Sequence, residues 1–222
     1  MIVKLHPWRD LWALSTLMLS VWQFGPDRGR GFKLQERLLA LRYVLKELHL
    51  SAAGGVAVKD GNIIGLMLIA KARHHLLGYG TVGIFYLLYL LCNLLLWILR
   101  YQFCYDYGHF EAKAQAQALK QLPPHLQLDG QFLLLVVSPQ AQGQGLGRQL
   151  LAYGQDLLRA RGCRQAFLFT DSFCNFGFYK ALGLTCQVDI KVTGIFGPQA
   201  QDRLQVRFLI FTQALEEEKT VH

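Results

Sequence analysis

Apolar residues recur at helical spacing in two early segments. Between Asp10 and Trp22, Leu11, Leu14, Leu17, Met18 and Val21 fall three or four residues apart. From about Lys33 to His49, Leu34, Leu38, Leu41, Leu45 and Leu48 repeat the pattern. Each predicts an amphipathic helix. Ahead of them, Ile2 to Leu5 is a short strand candidate closed by Pro7, and between them Gly25-Pro26-Asp27 and Gly29-Arg30-Gly31 predict a loop. Val56-Ala57-Val58 and Ile63 to Ile69 then read as two strands. They are joined by Lys59-Asp60-Gly61-Asn62, whose Asp-Gly pair is a strong hairpin signal.

The middle of the chain departs from this amphipathic pattern. Ile84 to Leu99 holds one strongly polar residue, Asn93, and with Val82 and Gly83 the apolar run reaches the length that flags a membrane span. Phe110 to Gln121, rich in Ala, Gln and Lys, predicts a helix ended by Pro123-Pro124. Phe132 to Val137 is nearly unbroken apolar sequence, as expected of a central strand covered on both faces. Gly147 to Arg161 is amphipathic through Leu146, Leu150, Leu157 and Leu158, with Gly162 as the C-terminal stop. Ala166 to Thr170 predicts a buried strand, and Asp171 or Ser172 is placed to cap a helix that ends at Gly183. Thr185 to Val192 and Gln205 to Thr212 predict the last strands, joined by a loop from Gly194 to Asp202. A solvated tail occupies about residues 215–222.

Composition narrows the class. Of 222 residues, 52% are hydrophobic and 17% charged, which excludes a disordered chain. A net charge of +8 suits an anionic ligand, an anionic membrane or nucleic acid. The basic residues are scattered without interleaved aromatics, so no nucleic-acid partner is expected. Cys92, Cys104, Cys163, Cys174 and Cys186 are odd in number and form no C-x-x-C pair, so reduced thiols in a cytoplasmic setting, and no metal site, are expected. Pro7, Arg9 and Asp10 interrupt the start of the chain, which does not read as a signal peptide.

The chemistry gathers after the Phe132–Val137 strand. Leu135-Val136-Val137-Ser138-Pro139 leads into Gln140-Ala141-Gln142-Gly143-Gln144-Gly145-Leu146-Gly147-Arg148, three alternating glycines at the start of a helix. Glycines admit close approach of a ligand to backbone N–H groups, and the helix start adds partial positive charge. The loop therefore suits a phosphate or pyrophosphate. It lacks the Lys-Ser/Thr of a nucleotide-triphosphate loop. Nor does its Gly-x-Gly-x-Gly rhythm match the dinucleotide fingerprint.

Gln142-x-x-Gly145-x-Gly147 after Val137-x-Pro139 resembles the Q/R-x-x-G-x-G/A motif of the GNAT superfamily of N-acetyltransferases. A second string, from Thr170 through Asn175, Phe178 and Tyr179 to Gly183-Leu184, resembles that family's N-x-x-x-F/Y-Y-x-x-x-G-F block. The likeness covers about Phe132 to Leu184. It implies one α/β (α+β) domain over 1–222, a mixed and mostly antiparallel sheet of six to seven strands flanked by helices. A long apolar helical insert, about residues 73–122, would separate strands 3 and 4. It also implies acetyl-CoA as cofactor, its pyrophosphate on the amides of Gln142, Gly143, Gln144, Gly145, Leu146, Gly147 and Arg148. The Arg148 side chain would add a phosphate contact. Leu135, Val136 and Val137 would line the pantetheine arm, Leu135 and Val137 through backbone bonds, and the Val137 N–H would polarise the thioester carbonyl. Asn175 would contact the pantetheine, and Tyr179 would protonate the departing thiolate. Asn175 and Tyr179, four apart, would share one helix face. The base candidates are Asp129, Glu111, Asp171, His109 and His125.

The acceptor is expected to be an amine on a small molecule or protein. Phe85, Tyr86, Tyr89, Trp97, Tyr101 and Phe103 in the insert favour an apolar or aromatic one. A single crossing by residues 82–99 would place strands of one sheet on opposite sides of a bilayer. A buried or interface helix, with a homo-oligomer as one form of interface, is therefore preferred over membrane contact. Lys71, Arg73, His74, His75 and Arg100 flank the run. The alternative functions are a non-catalytic acyl-CoA-binding regulator and a membrane-surface acyltransferase.

Overall fold

The computed structural model describes residues 1–21, 34–71, 79–99, 103–126, 128–196 and 202–215. The loop expected around Gly25–Gly31 and the tail from Glu216 onward lie outside them. Among the described residues thirteen numbered elements and one short 3₁₀ turn follow one another: β1 (Ile2–Lys4), α1 (Pro7–Val21), α2 (Leu34–Leu50), β2 (Ala53–Lys59), β3 (Asn62–Lys71), α3 (Tyr79–Ile98) and α4 (Phe103–Leu119). Then come β4 (Gly130–Val137), a 3₁₀ turn (Pro139–Ala141), α5 (Leu146–Arg159), β5 (Gln165–Asp171), α6 (Gly177–Ala181), β6 (Thr185–Phe196) and β7 (Asp202–Ala214). The strands form a seven-stranded, mostly antiparallel sheet in the order β1-β2-β3-β4-β5-β7-β6. This is the fold class that the sequence predicts, with α3 and α4 between the third and fourth strands.

The chain sorts into two compact units, each discontinuous in sequence. The first comprises residues 1–101 and 132–162. Its β1-β2-β3 meander is antiparallel, and the β2–β3 hairpin turns on Asp60 (φ 50°) and Gly61 (φ 76°). Two consecutive left-handed residues make the tight turn that the Asp-Gly signal demands. Helix α1 begins at Pro7, earlier than expected, because proline lacks an N–H that the first helical turn would leave unpaired anyway. Leu14, Met18, Val44, Leu45, Leu48, Val56, Leu66, Leu134 and Val136 share one core. At roughly 1.5–3 kcal/mol per fully buried large side chain, this cluster dominates the unit's stability.

Helix α3 is covered on one side only. Phe85, Leu88, Tyr89, Cys92 and Leu96 turn inward, chiefly on α2 with Trp8 of α1 stacked on Phe85, while Leu87 (63%), Leu91, Leu94 and Trp97 (69%) are exposed. A helix with one covered stripe is not a core helix. Asn93 does not face an apolar interior either, since Arg42 Nε donates to its Oδ1 at 2.7 Å and its Nδ2 donates to the Tyr89 carbonyl at 2.8 Å. Among the described residues no helix is long and apolar enough to cross a membrane.

The second unit comprises residues 102–131 and 163–222. Its β5–β7 and β6–β7 ladders are antiparallel, and β5 also pairs in parallel with β4 at Gly130↔Ala166 and Gln131↔Phe167. Strands β6 and β7 run farther than their sequence pattern, with Gly194 opposite Leu204 and Phe196 opposite Asp202. The ends of the loop expected from Gly194 to Asp202 are therefore ladder, since backbone pairing does not require the side-chain alternation used to find it, and residues 197–201 lie outside the described residues. Helix α4 packs Ala114 and Ala118 on Val188, Phe208 and Ile210. Leu215 is buried and its N–H donates to the Arg164 carbonyl at 2.8 Å, so the chain is tied down to that point.

Candidate functional site

In the first unit, β4 runs with Leu134 and Val136 buried, and Leu135 and Val137 half-buried on the opposite face. The strand ends as Ser138 N–H donates to the Ile64 carbonyl of β3 at 2.9 Å. Pro139 then opens the 3₁₀ turn, closed by Ala141 N–H on the Ser138 carbonyl at 2.9 Å. Two glutamines brace the loop beyond this turn. Gln142 Nε2 donates to the Val137 carbonyl at 3.2 Å, and Gln144 Nε2 to the Gln140 carbonyl at 2.9 Å.

Gly143 and Gly145 take φ values of 75° and 76°, and a Cβ at either would meet nothing within 4 Å. The glycines are thus required by backbone conformation, not by crowding. Gly145 is the N-cap of α5 and offers no side-chain cap. Gln149 N–H is the first helical donor, bonding the Gly145 carbonyl at 3.2 Å. Among the described residues, the backbone N–H groups from Gly143 through Arg148 have no hydrogen-bond partner. The loop is exposed, and the Arg148 side chain is exposed with it. Amides left unpaired at the positive end of a 14-residue helix can take up an anion.

Close backbone packing sets the position of α5. A Cβ on Gly55 would fall 2.3 Å from Tyr153 Cε1, and one on Gly65 would fall 2.7 Å from Leu150 Cδ1 and 3.3 Å from the Val136 carbonyl oxygen. Gly154 of α5 itself lies against Met67. A single glycine inside a strand leaves the apolar pattern unchanged, so Gly55 and Gly65 carry no sequence signal for this role. Ser138 carries none either: its hydroxyl is buried without a hydrogen-bond partner among the described residues.

In the second unit, the string from Thr170 to Leu184 differs from expectation. Helix α6 starts at Gly177 and spans five residues, so Asn175 precedes it and the two residues do not share a helix face. Asn175 is exposed, and its carbonyl accepts the Phe178 N–H at 3.2 Å. Neither Asp171 nor Ser172 caps the helix. Asp171 Oδ1 accepts from Phe173 N–H at 2.8 Å, and Ser172 Oγ accepts from Arg207 N–H at 3.2 Å. These local turns occupy the polar side chains before the helix begins.

Tyr179 lies between Phe178 and Phe211, with ring centroids 5.2 and 5.8 Å away. The turn after α6 fixes it: Gly183 has φ 81° and Leu184 N–H donates to the Tyr179 carbonyl at 3.1 Å. Its phenol titrates well above the ordinary tyrosine value, chiefly because the surroundings exclude water, with Cys174 adding to the shift. It is therefore a neutral O–H donor at physiological pH.

The candidate bases are mostly engaged. Asp129 accepts from Arg164 N–H at 2.8 Å through Oδ2 and from Gln165 N–H at 2.9 Å through Oδ1. Glu111 accepts from Gln115 Nε2 at 3.2 Å, and His125 stands exposed in the turn after α4. The His109 side chain lies outside the described residues. In the insert, Phe85 is fully buried under Trp8, at 4.5 Å between ring centroids. Tyr89 lies under Arg42, whereas Trp97 faces outward. The side chains of Tyr101 and Phe103 lie outside the described residues.

Residues 111–184 match a family model described as an acetyltransferase (GNAT) domain, a span that holds both strings. No curated protein sequence matches the chain. Among solved structures, a GNAT-family protein of Desulfovibrio desulfuricans superposes with a TM-score of 0.54 at 15% identity, covering 97% of this chain and 99% of its own. The yncA protein of Salmonella typhimurium, solved with its cofactor acetyl-CoA, gives 0.53 at 13% identity over 99% and 95%. An aminoglycoside 6'-N-acetyltransferase complexed with coenzyme A gives 0.54 at 11% identity over 98% of each chain. At such identities the likeness is one of fold.

Proposed function

We infer that this chain moves an acetyl group from acetyl-CoA to a primary amine by direct attack, a reading supported by the match of residues 111–184 to the acetyltransferase (GNAT) domain model. The observation that carries this reading is the unbroken run of unpaired N–H groups from Gly143 through Arg148 at the start of α5. Acetyl-CoA supplies the acetyl group as a thioester. The amides of Gly143 to Arg148 hold its pyrophosphate, and the exposed Arg148 guanidinium adds charge-assisted bonds. Gln142 braces the loop through its bond to the Val137 carbonyl, while its own N–H turns back on Pro139 at 3.4 Å.

Leu135 and Val137 lie outside the two-pair ladder that β4 makes with β5, so the Leu135 backbone and the Val137 N–H are assigned to the pantetheine arm, the Val137 carbonyl being held by Gln142. The Val137 N–H supports negative charge on the acyl oxygen during attack. Tyr179, kept neutral by its apolar surroundings, gives its proton to the departing sulfur. Asn175, outside α6 and exposed, is assigned to the pantetheine as well.

The test is release of free thiol from acetyl-CoA across a panel of aromatic amines, polyamines and peptides with free N-termini, run beside Tyr179→Phe. Acetyl transfer requires amine-dependent release, and a rate loss of about 10²-fold or more in the variant with little change in acetyl-CoA affinity. Tight acetyl-CoA binding with no release against any amine would favour a non-catalytic binder. An apolar acceptor is supported by the aromatic content of the insert, and a preference for polyamines would sink that part alone.

A further inference from the structure

The exposed face of α3 is a feature that acetyl transfer does not use. Ile84, Leu87, Leu91, Leu94, Trp97 and Ile98 present it, and every one is 48–69% exposed. Helix α1 extends it, because Trp8 stacks on Phe85 and is itself 50% exposed, and Trp12 is 64% exposed. Contiguous apolar surface of this kind marks a contact with something else. Its chemistry identifies the contact. From Gly61 to Tyr105 the chain holds no Asp or Glu, while Lys71, Arg73 and Arg100 flank the helix in sequence. Arg37 lies over the Trp12 ring at 6.0 Å. The one carboxamide of α3, Asn93, is held by Arg42 of α2.

We propose that this face docks on an anionic lipid bilayer, with α3 lying in the plane of the interface. Leucines would enter the acyl boundary and tryptophans sit at headgroup level, as their amphipathic rings prefer. The Arg37 guanidinium over Trp12 would meet anionic headgroups. A second copy of the chain fits less well, since pairing would bring together two subunits that each carry +8. A single crossing by α3 is excluded by chain order: α3 and α4 connect β3 to β4, and Ser138 N–H bonds the Ile64 carbonyl across those two strands.

Co-sedimentation of the full-length protein with vesicles tests this, using phosphatidylcholine alone against phosphatidylcholine mixed equally with phosphatidylglycerol. The proposal expects partition onto the anionic vesicles at least ~10-fold above the neutral ones, weakened by salt, with a blue shift of tryptophan emission. Leu87→Glu/Leu94→Glu, with unchanged circular dichroism, should lose roughly 10-fold of that partition. Both positions are exposed, so the fold does not depend on them; Trp97→Ser supplies a second variant with the same expected direction. Wild-type protein that stays in the supernatant with anionic vesicles overturns the proposal. So does a variant that sediments as well as the wild type. A dimer that the double substitution splits, without vesicle binding by either form, would reassign the face to self-association. Thiol release measured without vesicles keeps these outcomes separate from the catalytic reading.

Discussion

Arg42 on α2 and Asn93 on α3 meet at 2.7 Å, Nε donating to Oδ1, with the guanidinium also over the Tyr89 ring at 5.2 Å. The pair joins a polar residue of an otherwise apolar helix to a part-buried cation. Asn93→Leu should destabilise the protein by about 1–3 kcal/mol, because it leaves the Arg42 group without its acceptor. Arg42→Leu combined with Asn93→Leu should recover part of that loss, and a double-mutant cycle by urea unfolding would measure the coupling. Simple additivity would show that the pair contributes nothing.

Gly65 of β3 holds the helix that presents the glycine loop. Its backbone approaches Leu150 so closely that an added Cβ would lie 2.7 Å from Cδ1, with the Val136 carbonyl at 3.3 Å on the other side. Gly65→Val should lower the melting temperature, costing about 1–3 kcal/mol from overpacking. Because α5 must shift, acetyl-CoA affinity should fall together with stability. Calorimetric binding on the folded fraction checks the second effect, and unchanged affinity would mean that α5 tolerates displacement.

Much of this arrangement was legible in the sequence, for reasons that differ by element. The β2–β3 turn was, because Asp60-Gly61 needs two left-handed residues and says so locally. The glycine loop was legible because Gly143 and Gly145 must adopt positive φ. The start of α6 was not. Asn175 and Tyr179 are spaced as one helical turn, but Asp171 and Ser172 spend their side chains on the turn and on Arg207, and the helix waits until Gly177. The one-sided burial of α3 was hidden as well. Hydropathy counts apolar residues and does not reveal that one stripe is covered while the other is bare.

Gly145 separates loop conformation from loop crowding. With φ 76° and free space where a Cβ would stand, an Ala there would suffer backbone strain and no clash. The expected cost is about 1–2 kcal/mol in the left-handed conformation. Relaxation of that strain would turn the amides of the cradle away from their common target. Gly145→Ala should therefore weaken coenzyme A binding by about 10-fold while leaving the far-UV spectrum unchanged. Equal affinity for coenzyme A in both proteins would remove the loop from pyrophosphate binding.

Tyr179 makes the pH dependence specific. Its pKa lies above the ordinary value of 10.0, because burial disfavours the phenolate and Cys174 acts in the same direction. A raised pKa means that the folded state holds the proton more tightly than the unfolded chain does. The associated stability is fully present below the unfolded value and is lost as pH rises beyond it. For catalysis the same sign keeps the donor form in place through neutral and moderately alkaline pH. The rate of acetyl transfer, measured at saturating amine, should thus show no decline assignable to this group up to pH about 10. Tyr179→Phe should lower the whole profile by about 10²-fold without moving its acid limb. A wild-type alkaline limb near pH 8 that vanishes in the variant would show instead that Tyr179 titrates as an exposed, activated phenol, and the donor assignment would fall.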